Sequence, residues 1–267
     1  MPVARIHWAD LPGEVRGRVE RHTGTIHAAT TMSEGKNSAI AAVLDTESGR
    51  VFVKGLRVDY PRRWTQDAEA LINPVVAEIS PRLLFRHVGA EWDLLGFQAV
   101  DGRHASYEPG SPDLPLLVET MATLGAIGCP DLPVKQAPQR WANYVSDPAH
   151  VHLFGGDVLL HTDYAPDNVL IAGGRALLID WAWPTRGAGW IDPACLVLRL
   201  MAGGHTAAQA EQVVSALPAW TAAPREAVTA FAEASANLWS EIAGGDGSAW
   251  TKRMDLAAQE WASYRAR

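Results

Sequence analysis

The sequence predicts an α+β fold in two parts, a sheet-rich N-terminal region over residues 1–100 and a larger, mainly helical region over 101–267. Three observations carry this. β-prone runs at 39–44 and 50–54 flank the turn-rich segment 45–49, which reads as an antiparallel pair. Residues 108–115 hold three prolines and a glycine, and mark a link between the two regions. Beyond Pro193 the apolar spacing becomes helical, with prolines near the starts and Gly203-Gly204 and Gly244-Gly245 as breaks.

The elements follow in order. The segment 30–38 is small and polar and reads as a loop between two expected strands. In the run 50–54, alternation sets Lys54 on the face opposite Val51 and Val53. Residues 62–79 carry Ala68, Leu71, Ile72, Val75 and Val76 on one helical face despite Pro74. The run 92–103 reads as the last N-terminal strand, continuing into the connection. Helices are expected at 116–127, 193–201, 207–216, 224–242 and 249–264.

The most informative block is His161-Thr162-Asp163, followed by Asn168, two short apolar runs and Asp180-Trp181. The runs 169–171 and 176–179 flank Gly173-Gly174 and read as a hairpin, which returns Asp180 to the side of Asn168. Three oxygen-bearing side chains thereby gather where a nucleotide-bound metal and a nucleophile can meet. Phosphoryl transfer to a hydroxyl needs one carboxylate to orient the acceptor and take its proton, and two oxygen ligands for magnesium.

This block resembles the aminoglycoside phosphotransferase family, small-molecule kinases of the protein-kinase-like fold, whose pattern is H-G-D, four residues, N, a hairpin, then I-D-W. Thr162 replaces the usual glycine. Ile179-Asp180-Trp181 matches, and the likeness extends to Gly189, Asp192 and Pro193. The resemblance implies a bilobal molecule that uses ATP and Mg2+, with Asp163 as catalytic base and Asn168 and Asp180 as metal ligands. It makes Asp192 a brace beneath the catalytic loop, and His161 reads as a buried hydrogen-bonding residue that shapes it. The N-terminal lobe would be an antiparallel sheet with one helix. There Lys54 would meet the α- and β-phosphates, held by Glu69 in preference to Glu78. Ser33, Gly35 and Ser38 would cap phosphate oxygens from the 30–38 loop, although its single glycine departs from G-x-G-x-x-G. Main-chain groups near Gln98 and Val100 would hold the adenine.

Composition limits the rest. The net charge is −7 with no basic run, which excludes a nucleic-acid backbone as the expected partner. No apolar run approaches the roughly 20 residues that span a bilayer, and the start lacks a secretory pattern, so a cytoplasmic protein is expected, as a monomer or homodimer. Cys129 and Cys195 stand far apart without ligand patterns and read as small buried apolar residues. The acceptor is expected to be a hydroxyl of a small molecule, either an antibiotic such as an aminoglycoside or a metabolite such as a sugar, amino alcohol or nucleoside. From Pro193 onward seven acidic residues, Glu211, Glu226, Glu233, Glu241, Asp246, Asp255 and Glu260, stand against six lysines and arginines, which is not the acidic surface a polycation needs. Trp183 and Arg186, in what reads as an irregular loop after Asp180, are the expected acceptor contacts. A nucleotide-binding regulatory protein without turnover is the alternative, favoured only by the glycine-poor loop. A protein kinase is disfavoured, because no activation segment follows Asp180.

Overall fold

The structure, a computed structural model, describes residues 3–33 and 37–267 of the chain. Two compact units emerge, residues 1–101 with 180–182, and residues 102–179 with 183–267.

The first unit is a five-stranded antiparallel sheet with two helices. In chain order these are α1 (Gly13–Thr23), β1 (Ile26–Thr31), β2 (Ile40–Thr46), β3 (Gly49–Arg57), α2 (Trp64–Ile72), β4 (Leu83–Gly89) and β5 (Trp92–Gln98). The strands lie in the order β1-β2-β3-β5-β4. Alternation in β3 buries Val51 and Val53 on one face, where Val15 and Val19 of α1 join Trp8, Leu11 and Leu44 in a continuous core. That leaves Lys54 on the opposite face of a central strand, paired in register with Ala41 and Leu95. Helix α1 is an addition to the single helix expected.

The helix anticipated over 62–79 is shorter. It closes at Ile72, where the Asn73 N–H still bonds to the Glu69 carbonyl. Pro74 has no N–H to continue the ladder, and residues beyond it form three-residue turns, Val75 to Ile72, Val76 to Asn73 and Ile79 to Val76. Val76 and Ile79 are buried all the same, so the apolar spacing belongs to a turn-rich continuation that packs as the helix does. A buried aspartate ties α2 to the sheet. Asp93 in β5 is fully buried and receives Arg63 Nε at 2.9 Å and Arg86 Nη2 at 2.6 Å, while Gln66 of α2 donates to its carbonyl.

The second unit contains β6 (Arg103–His104), α3 (Asp113–Gly125), β7 (Lys135–Gln136), α4 (Ala137–Trp141), β8 (Val158–Leu160), β9 (Val169–Ala172), β10 (Arg175–Leu178), β11 (Thr185–Gly187), α5 (Ile191–Ala202), α6 (Ala207–Val214), α7 (Pro218–Thr221), α8 (Arg225–Gly245) and α9 (Ala249–Arg265). The hairpin forms between β9 and β10, with Ala172 opposite Arg175. Its two-residue turn needs positive φ twice, and Gly173 and Gly174 supply it at 55° and 73°. Strand β11 runs parallel to β7 and antiparallel to β8, so Thr185 is level with both Lys135 and Leu160. Arg186 therefore lies in a short strand, not in an irregular loop. Three residues are too few for an alternation to be read, which is why this strand is silent in the sequence.

Helix α3 starts three residues earlier than the sequence indicates, inside the turn-dense link, where Asp113 accepts the Ser106 N–H and pairs with Arg103. Helix α8 runs through Gly244 to Gly245. The core of this unit centres on Phe231 of α8, which meets Trp141, Phe154 and Trp190 with ring centroids 5.1 to 5.6 Å apart. Cys129 and Cys195 are half-buried thiols, less enclosed than expected. Among the described residues no helix is long and apolar enough to cross a membrane.

Gly96 of β5 lies opposite Phe85 in β4, and a Cβ at Gly96 would overlap the Phe85 ring. Gly96→Ala is expected to lower unfolding stability by about 1–3 kcal/mol through overpacking, read from urea denaturation. An unchanged midpoint would show that the ring can move aside at no cost.

Candidate active site

In the first unit, Lys54 sits between two carboxylates. Its Nζ lies 2.6 Å from Glu69 Oε2 in α2 and 2.8 Å from Asp180 Oδ1. All three are shielded, with side-chain exposures of 13, 6 and 26%. Asp180 has φ of 62°, a left-handed conformation uncommon outside glycine, though aspartate is among the residues that adopt it more readily. The main-chain N–H of Trp181 donates to Glu69 and so closes the cluster. Burial alone would lower the Lys54 pKa, but the charges of Asp180 and Glu69 outweigh it and hold the ammonium above its ordinary range. Burial raises the Glu69 carboxyl, with Lys54 opposing and the neighbouring Asp180 charge adding to the rise. Two carboxylates share one ammonium, so both directions are consistent. Glu78, the sequence competitor for this role, is exposed.

Ser33 is exposed and Ser38 half-buried, at either end of the loop between β1 and β2. Gly35 lies outside the described residues. Gln98 has already committed its N–H to the Arg82 carbonyl at 2.8 Å, whereas the Val100 main chain forms no hydrogen bond among the described residues.

In the second unit, the segment 161–168 is built around Asp192. This fully enclosed carboxylate, in the first turn of α5, accepts the N–H of His161 and the N–H of Thr162, each at 2.9 Å. It also accepts the Tyr164 hydroxyl at 2.9 Å. Burial pushes its pKa up, and these donors oppose the shift. His161 is buried. Its Nε2 lies 3.0 Å from the Ile179 carbonyl and its Nδ1 accepts the Asp163 N–H at 3.3 Å, a set that assigns the ring proton to Nε2. Asn168 donates from its side-chain amide nitrogen to the Asp163 main-chain carbonyl, and its main-chain carbonyl accepts the Ile179 N–H. The hairpin thus closes on the loop through Ile179.

Two arginines that the sequence reading missed complete this half. Arg199, seven residues after Asp192 on the same face of α5, places Nη2 2.7 Å from Asp163 Oδ1. Its guanidinium carbon lies 5.3 Å from the ring centroids of both Trp239 and Trp250. The signal was an arginine inside an otherwise apolar helix, which needs a partner. Arg140 of α4 donates from Nη1 to the hydroxyls of Thr162 and Thr185, both at 2.6 Å. Thr162 has φ of 67° at the position where the resembled family keeps glycine. Its hydroxyl is the anchor that glycine could not provide.

Of the two acceptor candidates, Trp183 lies in this neighbourhood, with Lys135 Nζ 4.7 Å and the Arg140 guanidinium 5.6 Å from its ring centroid. Arg186 is bound elsewhere, to the carbonyls of Cys129 and Pro130 and near Asp157. Among the described residues the buried Tyr107 hydroxyl has no hydrogen-bond partner, and it lies within electrostatic reach of Arg199 and Asp163.

No protein-family model matches the sequence, and no curated protein matches it at sequence level. Solved structures match in fold. Choline kinase LicA from Streptococcus pneumoniae aligns with a TM-score of 0.64 at 14% identity, over 94% of this chain and 98% of that one. The ternary complex of a thermostable mutant of aminoglycoside phosphotransferase APH(4)-Ia with ADP and hygromycin B aligns with a TM-score of 0.58 at 15% identity, over 93% and 99%. LicA in complex with AMP aligns at 0.62 and 13% identity, over 96% and 99%. The chain has the α+β, protein-kinase-like fold of these small-molecule kinases.

Removing the ammonium would leave two shielded carboxylates facing each other. Because Glu69 has a folded-state pKa above its unfolded value, its ionisation costs stability as pH rises from the ordinary carboxylate range through the folded value, and Lys54 offsets that cost. Lys54→Met is therefore expected to lose about 3–5 kcal/mol near neutral pH, with the deficit shrinking as Glu69 is protonated on acidification. Denaturation at a series of pH values reads this directly. A deficit that stays constant or grows in acid would contradict it.

Proposed function

We propose that this chain is a Mg-ATP-dependent phosphotransferase that moves the γ-phosphoryl group of ATP to a hydroxyl of a small molecule. The observation that carries this reading is the Lys54–Glu69–Asp180 cluster. A buried ammonium held by a helix carboxylate, beside an aspartate in a strained backbone, is an arrangement suited to nucleotide phosphates and metal. An ammonium has three donors, and two are spent on the carboxylates. The third is left for an α- or β-phosphate oxygen.

The residues fit magnesium by the chemistry of the donor set. Asn168 uses its amide nitrogen on Asp163, which leaves Oδ1 as a ligand atom, and Asp180 is a carboxylate. Both are hard oxygen ligands, as Mg2+ requires. Asn168 and Asp180 would hold the ion, which when bound supplies charge neutralisation on the phosphates. Val100 would offer its main chain to the adenine in preference to Gln98, whose N–H is already used. Ser33, Gly35 and Ser38 would contribute from the β1–β2 loop.

Asp163 would accept the acceptor's hydroxyl proton. Arg199 holds Oδ1, which fixes the carboxylate and leaves Oδ2 for that hydroxyl. The hydroxyl oxygen forms the new bond to the γ-phosphorus, the bond to the β–γ bridging oxygen breaks, ADP leaves, and the proton passes to Asp163. His161 and Asp192 act by fixing the loop that carries Asp163 and Asn168. The ADP–hygromycin B complex of one structural neighbour and the choline kinase activity named for another support nucleotide use with a small hydroxylated acceptor.

Asp163→Asn is expected to reduce transfer by roughly 100- to 10,000-fold while leaving ATP affinity unchanged, measured as acceptor-dependent ADP release beside a nucleotide titration. A fully active variant would remove Asp163 as the base. Asp180→Ala should weaken ATP binding in the presence of Mg2+, and unaltered affinity would move the metal elsewhere.

A further inference from the structure

The acceptor's charge class is written into the second unit. Arg140 is half-buried, and its three hydrogen bonds go to uncharged oxygens, the Thr162 and Thr185 hydroxyls and, at 3.5 Å, the Trp183 carbonyl. Among the described residues no ion pair involves it. Burial lowers its pKa, and Cys195, Asp192 and Asp163 offset that only in part. All three bonds use Nη1, so Nε and Nη2 remain for a ligand. A guanidinium in that state matches the two oxygens of a carboxylate or phosphate, which it binds through paired donors.

The surroundings point the same way. Lys135 and Arg140 both approach the ring of Trp183, and Arg140's charge further lowers the Lys135 pKa, already depressed by burial. Two cations near one indole repel a third and attract an anion. The indoles of Trp239 and Trp250 are the kind of aromatic pair that holds a ligand ammonium, but here the chain's own Arg199 is stacked on both and bound to Asp163. Three of the seven carboxylates beyond Pro193 are engaged elsewhere: Glu211 with Trp261 and Arg265, Glu241 with Tyr144, and Asp255 with Ser240.

We propose that Arg140 anchors an anionic group, a carboxylate or a phosphate, on the hydroxyl-bearing acceptor, and that the site selects against cationic acceptors. This rests on the phosphotransferase reading, which supplies the reason for an acceptor beside Asp163. Thr162 is the positioning residue: it lies between His161 and Asp163 in the chain, and its hydroxyl holds Arg140 one residue from the base. The resembled family's glycine would leave Arg140 without that bond.

The test is titration calorimetry of the full chain with four probes: glycerate, glycerol 3-phosphate, choline and ATP with Mg2+. Glycerate and glycerol 3-phosphate each carry a hydroxyl and one anionic group, so the tighter of the two identifies carboxylate or phosphate as the anchor. The wild type is expected to bind at least one of them, and Arg140→Gln to bind it about 10- to 100-fold more weakly with ATP affinity unchanged. Thr162→Gly, which relieves the left-handed backbone and so guards against a folding artefact, is expected to weaken the anion several-fold while keeping ATP binding and stability. The proposal is overturned if Arg140→Gln binds the anion as tightly as the wild type, if the wild type binds neither anion, or if choline binds more tightly than both. Absence of ATP binding by the wild type would sink the phosphotransferase reading through a separate arm, whatever the anions do.

Discussion

The segment that carries Asp163 depends on one buried carboxylate. Asp192 takes three hydrogen bonds from a segment of four residues, and these fix the backbone of His161 and Thr162 and the ring of Tyr164. With those atoms held, Thr162 is kept in a left-handed conformation, its hydroxyl meets Arg140, and Asp163 emerges toward Arg199. A buried carboxylate costs desolvation, and this one is tolerated because N–H and O–H donors, together with its place in the first turn of a helix, favour its charge. Helix α5 then serves the loop twice, since Arg199 lies two turns further along the same face. Loss of the Asp192 carboxylate would release both Asp163 and the arginine next to it.

The Lys54 cluster rests on a different balance. Lys54, Glu69 and Asp180 are three charges in a shielded place, and such a cluster contributes little net stability over an apolar replacement. Its use is positional. The strained Asp180 backbone and the Lys54 donor left over after two ion pairs are features that a purely structural ion pair would not need.

Much of this was legible in the sequence because the signals were local. Gly173-Gly174 between two apolar runs specified the hairpin, and the hairpin placed Ile179 against Asn168. Alternation in β3 put Lys54 on its face, and the apolar stripe of α2 carried Glu69. The overlong helix at 62–79 came from the same kind of signal, since Val76 and Ile79 are buried as a helix would bury them, while Pro74 removes the hydrogen bond that would continue it. Pairings between distant segments were not legible. Strands of two or three residues, such as β7 and β11, have no alternation to reveal them, yet they bring Thr185 alongside Lys135 and so set Arg140 beside Thr162. The pairing of the Gln98 N–H was likewise not legible, because it goes to Arg82, sixteen residues away. Arg199 could have been found, as the one basic residue in an apolar helix. Arg140 could not, since nothing near it in the chain marks it.

Threonine at position 162, where the resembled family has glycine, therefore links the loop backbone to Arg140. It costs backbone strain of order 1 kcal/mol, and the bond to Arg140 gives that strain a purpose. Transfer of isotopically labelled γ-phosphate from ATP, followed by product analysis, tests the account most directly. Label recovered in an ester of a hydroxylated small molecule, dependent on Asp163, is the outcome this structure predicts. Label that remains on ATP, or appears only as free phosphate across cationic and anionic acceptors alike, would contradict it.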